Sequence, residues 1–398
     1  MLSLFVGRAS AFIQTIRATF RKQSYFKCRS GGLRIFSSRL TTTPSTAPRP
    51  LPDLAAEELA AWMQARGFNT KHALRVLRVL YSASDGRVPD SARLPAGMME
   101  SVATEFPAQA ATLALRQVAG DGTCKLLLRL DDGRTVESVL MPDFHPQRAS
   151  GCISSQVGCA MGCDFCATTQ TGFERNLTSG EIVEQFIRLR SEAQSSGRRL
   201  RTIVFMGMGE PMLNLPNVLP AVQRIADPAL GALGWRQVTI STVGIVPGIT
   251  ALREAGLGVH LAISLHAPDD ATRADLLPMG RRFDVRDVLD AADFYQAESG
   301  RITTIQYCLL AGVNDSLTQA RDLARLLQDR DMHVNLLRYN PTGLSLRGRN
   351  YEPSSVEQTD AFLAELRALG TVAHLRRARG PDIDAACGQL RKRAAAGA

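Results

Sequence analysis

Residues 151–173 read GCISSQVGCAMGCDFCATTQTGF and hold half of the chain's eight cysteines: Cys152, Cys159, Cys163 and Cys166. The last three have the spacing C-x3-C-x2-C on a short loop, a triplet expected by chance about 0.003 times at this cysteine frequency. Scattered cysteines can staple a small secreted domain, but a chain of 398 residues buries a large core without staples. Clustered thiols point instead to metal or redox chemistry in a reducing compartment. Three thiolates on one loop can hold three irons of a 4Fe-4S cluster and leave the fourth iron open, because complete protein ligation takes four cysteines. The competing reading is a structural zinc site with Cys152 as fourth ligand. Zinc sites favour two spaced pairs, and neither a second C-x2-C pair nor a histidine cluster follows.

Downstream of this loop the chain settles into an alternating rhythm. Thr178-Ser179-Gly180-Glu181 is a capping-box signature opening a helix through about Ala193. Strand patterns follow at 201–207, 237–242, 259–265, 302–310 and 333–338, separated by helical patterns at 215–225, 249–255, 271–297, 317–328 and 356–369. With a first strand beside the cysteine loop, this makes six β/α units. The fold class predicted is α/β, a partial (β/α)6 TIM-like barrel. The second to sixth strands run into GMGEP, ST, SLHAP, AGVND and RYNPTG. Loops at the carboxyl ends of barrel strands build the active site, so these clusters and the cysteine loop are expected at one mouth.

Upstream, residues from Pro52 read as two amphipathic helices with a turn at Gly67-Phe68-Asn69. Thr123–Met141 alternates and turns at Asp131-Asp132-Gly133, a hairpin signal. The sequence thus divides into a basic leader at 1–50, an N-terminal helical accessory domain at 51–110, a β-hairpin connecting segment at 111–146, the barrel at 147–380 and a C-terminal segment at 381–398. The leader carries nine Lys or Arg and no acid, so the net charge of +9 belongs to it and the body is neutral. Its Arg-rich, Ser/Thr-rich composition is that of an organellar transit peptide, with an overlong start as the alternative. The expected location is the cytoplasm, or a mitochondrial or plastid matrix if the leader is a transit peptide. Any nucleic-acid contact must come from local clusters such as Arg198, Arg199 and Arg201, Arg281 and Arg282, Arg347 and Arg349, or Arg376, Arg377 and Arg379. No run approaches the roughly 20 apolar residues that a membrane span needs, so no membrane partner is expected.

The cysteine triplet at the first barrel strand followed by GMGEP resembles the radical S-adenosylmethionine superfamily, in which the open iron binds the amino and carboxyl groups of that cofactor. More narrowly, CISSQVGCAMGCDFC, GMGEPMLN, VTISTVGIVP, AISLHAPDD and RGPDIDAACGQL resemble the RlmN/Cfr group of RNA adenine methyltransferases, specifically the RlmN family acting at adenine C2. The likeness covers about residues 52–391. It implies one 4Fe-4S cluster on Cys159, Cys163 and Cys166, and two S-adenosylmethionine molecules per turnover. Cofactor contacts would come from Gly209, Glu210, Ser241, Ser264, Leu265, His266 and Asn340. The implied substrate is an adenosine of large-subunit ribosomal RNA, with transfer RNA as a second substrate. The leading module would bind RNA, flavodoxin or ferredoxin would donate electrons, and the enzyme would be a monomer.

Adenine C2 is electron-poor, so ordinary methyl transfer fails there and radical addition is needed. The resemblance implies that Cys387 first accepts a methyl group from one cofactor molecule. A second molecule is cleaved reductively, and the resulting radical removes hydrogen from the S-methyl group. The carbon radical adds to the base, making a transient protein–RNA link. Cys152 then releases it through a transient disulfide with Cys387, and Glu137 of TVESVLMP is the implied proton acceptor. Cys308 reads as core, and Cys124 and Cys28 have no partner pattern. The chain departs from the family in ALRVLRVLY, which lacks a tryptophan, in RYNP for PWNP, and in a longer stretch between Glu137 and Cys152. The alternative function is methylation of adenine C8, or radical chemistry on another RNA or a small molecule.

Overall fold

Twelve runs of the chain lie extended in the computed structural model, which describes residues 49–82 and 94–391. In chain order they are β1 (Ala111–Val118), β2 (Cys124–Leu130), β3 (Thr135–Pro142), β4 (Arg148–Cys152), β5 (Gln156–Gly158), β6 (Phe173–Asn176), β7 (Arg199–Phe205), β8 (Val238–Thr242), β9 (His260–Ser264), β10 (Thr303–Leu309), β11 (Met332–Arg338) and β12 (Ala373–Arg376). The leader reading falls almost entirely outside the described residues, as does Cys28.

Ten of these strands form one sheet in the order β1-β2-β3-β4-β7-β8-β9-β10-β11-β12. From β4 to β12 every pairing is parallel. Helices at Ser179–Ser195, Leu215–Ala226, Val246–Glu254, Val285–Ser299, Leu317–Leu327 and Val356–Ala368 alternate with those strands. This is a partial TIM barrel, with seven parallel strands instead of the six that the sequence predicts. The seventh, β12, is four residues of mixed polarity, too short to show alternation. Apolar residues of these strands, among them Ile203, Ile240, Ile263, Ile305 and Val334, are fully buried in the core.

The hairpin does not stand apart from the barrel. β3 pairs antiparallel with β4, placing Val139 opposite Cys152, and β1 and β2 extend the same sheet. The leading helices, Ala56–Ala65 and His72–Ser82, bury Leu59, Met63, Val76, Leu77 and Leu80. Each such side chain contributes about 1.5–3 kcal/mol on burial. Asp53 accepts hydrogen bonds from Ser179 Oγ at 2.5 Å and Gly180 N at 2.7 Å. A Cβ at Gly180 would sit 2.6 Å from that of Asp53, so glycine is what lets the leading segment close on the barrel.

The capping box at Thr178 and Glu181 is present, with Glu181 N donating to Thr178 Oγ1 at 3.1 Å and Thr178 N to Glu181 Oε2 at 2.8 Å. The predicted helix at 271–297 is two helices, Asp270–Leu276 and Val285–Ser299. Pro278 lacks the N–H needed to continue the first, and Asp284 caps the second by accepting from Asp287 N at 2.8 Å. Among the described residues no helix is long and apolar enough to cross a membrane.

Candidate active site

The carboxyl ends of the parallel strands open on one cavity of about 1020 Å³ counted out to its rim. Its wall holds Cys159, Cys163, Cys166, Gly209, Glu210, Ser241, Ser264, His266, Asn340 and Cys387. Motifs spread over more than 200 residues of sequence therefore meet in one place. Strand alternation explains which side chains enter. Ser241 is the second-last residue of β8 and Ser264 ends β9, and their hydroxyl oxygens lie 3.5 Å apart. Leu265, expected among the cofactor contacts, is fully buried and lines no part of the wall. It follows the last residue of β9 and belongs to the buried core.

Glu210 is held rigidly at the rim of β7. Its Oε1 accepts from Met212 N at 3.0 Å and its Oε2 from Val243 N at 2.9 Å, while its own N–H donates to Gln156 Oε1 at 2.8 Å. Burial nonetheless pushes its carboxyl up to about 7, with the backbone bonds acting against it. A cationic partner would restore its ionised form. Gly209 has φ +98°, and a Cβ there would lie 2.5 Å from that of Gln156, so only glycine brings Glu210 this close.

His266 follows β9 in a left-handed conformation, φ 61°, unusual for a non-glycine residue and held by its neighbours. Its Nδ1 accepts from Cys308 N at 2.9 Å, and Asn314 Nδ2 donates to its carbonyl at 2.8 Å. Phe165 packs edge-on against its ring. Burial, with Arg273 adding to it, drives the imidazole down to about 3, so it is neutral. With Nδ1 accepting, the proton sits on Nε2 as a donor.

The loop thiols share one desolvated environment. Burial pushes Cys159 up to about 12, Cys163 well above the usual thiol value and Cys166 up as well. Mutual repulsion among the three adds to burial at Cys163. Thiolates here need a cationic group to balance them. Three soft ligands spread round an open wall fit a multi-iron cluster with one free side. Gln306 Oε1 is buried in the same wall without a hydrogen-bond partner, and with Glu210 it offers acceptors to an ammonium or hydroxyl group.

A second cavity, about 600 Å³ counted to its rim, adjoins the first. It holds Cys152 and Cys387 together, and Cys387, Asn340 and Arg376 line both cavities. Cys152 and Cys387 are free thiols, so the implied disulfide is absent from this structure. Burial pushes Cys152 up to about 12 and the nearby Cys387 adds to this, while Arg376 acts in the opposite direction. Cys387 itself is exposed.

The segment bearing Cys387 is tied down from several sides. Ala167 N donates to Gly388 O at 2.8 Å, Asn340 Nδ2 to Cys387 O at 3.2 Å and Thr168 Oγ1 to Leu390 O at 2.5 Å. Glu137, expected as proton acceptor, lines neither cavity. It is 1% exposed, paired at 3.1 Å with Lys125, itself 1% exposed. Glu137 Oε2 accepts from Arg391 N at 2.9 Å, and Lys125 Nζ donates to Asp384 O at 3.2 Å. The buried pair thus grips the C-terminal segment on both sides of Cys387. Its side chain lies on the inner face of a hairpin that turns out to be part of the barrel sheet.

Several site residues carry no motif. Gln306 pairs in register with Ser264, and its inward position on β10 is the signal that could have found it. Cys308, read as core, lines the first cavity, half-buried. Arg376 shows only as part of a basic run. Arg347 and Arg349, candidates for phosphate contacts, both pair with Asp275.

Residues 153–324 match the Radical SAM superfamily. The chain is 64% identical over 342 residues to the protein named Probable dual-specificity RNA methyltransferase RlmN 1 of Opitutus terrae, covering 86% of this chain and 96% of that one. It is 42% identical over 356 residues to the similarly named protein of Rhodopirellula baltica, covering 88% and 94%. The crystal structure of a radical SAM methyltransferase from Sphaerobacter thermophilus superposes with a TM-score of 0.81 at 40% identity, covering 86% of this chain and 99% of that one.

Proposed function

The chain belongs to the RlmN family of radical S-adenosylmethionine RNA methyltransferases, and from that premise we propose that it methylates C2 of a specific adenosine in large-subunit ribosomal RNA and in transfer RNA. The observation that carries this reading is the position of Cys387 on the wall of both cavities, with the loop thiols on one side and Cys152 on the other. A methyl group parked on that sulfur is within reach of chemistry from both.

Family membership implies a 4Fe-4S cluster and S-adenosylmethionine. Cys159, Cys163 and Cys166 would hold the cluster; Glu210, Ser241, Ser264, His266 and Asn340 would hold the cofactor, with two molecules used per turnover. When bound, these groups supply a methyl group and a hydrogen-abstracting radical. The Cys387 sulfur takes the methyl group and, once activated, carries it onto adenine C2 as a methylene link. Cys152 then gives up its thiol proton, a loss that Arg376 favours against burial, and attacks the Cys387 sulfur. The sulfur–sulfur bond forms, the sulfur–carbon electron pair goes to carbon, and protonation there completes the methyl group. Loss of the C2 proton to Glu137 is what the family resemblance implies; the Lys125 pair and the Arg391 bond instead support a role for Glu137 in positioning Cys387.

We further infer a monomer fed by an electron donor such as flavodoxin or ferredoxin. The relatives are bacterial, which supports the cytoplasm and lends nothing to an organelle. The test is anaerobic reconstitution followed by nucleoside mass spectrometry. 2-Methyladenosine in the treated RNA is expected; 8-methyladenosine, or an unmodified base under reducing conditions, would reject the C2 reading.

A further inference from the structure

At the opposite end of the barrel from the mouth, the first residues of β4 and β7 face a basin of about 910 Å³ counted to its rim. Arg148 opens β4 and Arg199 opens β7, and the two are paired in register. Arg198 and Arg201 complete a set of four arginines, joined by His145 and Gln147. Among the described residues no acid lines the basin, and none of the four pairs with a carboxylate. Because the body of the chain is electrically neutral, four unopposed guanidinium groups are a local concentration that average composition does not produce. Arg198 Nε is in addition buried without a hydrogen-bond partner.

We propose that this basin binds the phosphate backbone of the substrate RNA at a second site, remote from the target base. Guanidinium groups suit phosphate oxygens as bidentate donors, and the acid-free lining suits a polyanion better than a mixed-charge protein face. β7 spans seven residues, so mouth and basin are separated by about 20 Å at about 3.3 Å per residue. A stem of roughly six stacked base pairs covers that distance. The enzyme would thus read the length and direction of the stem next to the target adenosine, and this would favour folded RNA over short fragments. An acidic electron-donor protein is the rival occupant, but the basin lies a full strand length from the cysteine loop that such a donor must reach.

The experiment compares the parent with the Arg198→Gln/Arg199→Gln/Arg201→Gln variant and, separately, Arg148→Gln, on two RNAs. One carries the target in a hairpin with a stem of about three pairs, the other in a stem of ten or more. For the long RNA, KM should rise roughly tenfold and the slope of log KM against log salt should fall by about three in the triple variant. Both variants should keep the parent's kcat on the long RNA and its kinetics on the short hairpin, which also shows that they fold. Unchanged KM and salt slope on the long RNA would overturn the proposal. So would a loss of turnover on both RNAs that a chemical reductant restores, which would assign the basin to the electron donor.

Discussion

The two cavities that share Cys387 hold their thiols in opposite ways. In the first, three cysteines sit on a loop of eight residues, all pushed toward the neutral thiol by burial, with neighbouring loop thiols adding to this at Cys159 and Cys163 and Cys387 adding to it at Cys166. In the second, one buried thiol, Cys152, faces one exposed thiol, Cys387, among arginines. As thiolates, the first set needs a cationic group to balance it. The second leaves two sulfurs in one cavity, free to react with each other. Local sequence spacing builds the first, whereas a sheet pairing and a tethered chain end build the second.

The largest effect should come from removing one loop thiol. Cys163→Ala should abolish iron–sulfur absorbance and methyl transfer together, because two thiolates cannot hold the cluster, while the fold measured by circular dichroism stays that of the parent. Full iron content in this variant would break the division between the cavities. A smaller effect is expected from the tether. Lys125→Met leaves Glu137 buried without its cation, which costs about 3–5 kcal/mol of stability. Cluster content should survive and turnover should fall, since the segment carrying Cys387 loosens. Parent-like stability in urea would show that the pair does not grip it.

Glu210 sharpens the comparison through pH. Burial raises its carboxyl to about 7 from an ordinary 4.5. Between these values the folded, cofactor-free chain keeps a proton that the unfolded chain has lost. Its contribution is fully present below about 4.5, falls as pH rises and levels off above about 7. Glu210→Gln removes that slope, so stability of the variant relative to the parent should improve by about 3 kcal/mol between pH 4.5 and pH 7.5. A pH-independent difference in urea denaturation would contradict it.

What the sequence made legible was short-range. The cysteine loop, the capping box at Thr178 and the strand-end clusters around Glu210, Ser241 and His266 are contiguous runs whose residue types announce their chemistry. What stayed hidden depends on distant partners. Glu137 reads as a hairpin carboxylate until Lys125 and Arg391, 254 positions further on, are seen beside it. β12 is too short to show a period, Leu265 is drawn into the core by tertiary packing, and Gln306 matters because of its register with Ser264. The arginine basin is split between two strands that sequence separates by about fifty residues.

The central claim, that Cys152 serves Cys387 and not the cluster, is tested most directly by mass spectrometry of Cys152→Ala protein isolated from cells. The account predicts full cluster content and a nucleotide joined covalently to Cys387, because addition to the base proceeds and release does not. A Cys152→Ala protein that lacks its cluster, or one that turns over normally with Cys387 free of RNA, would contradict it.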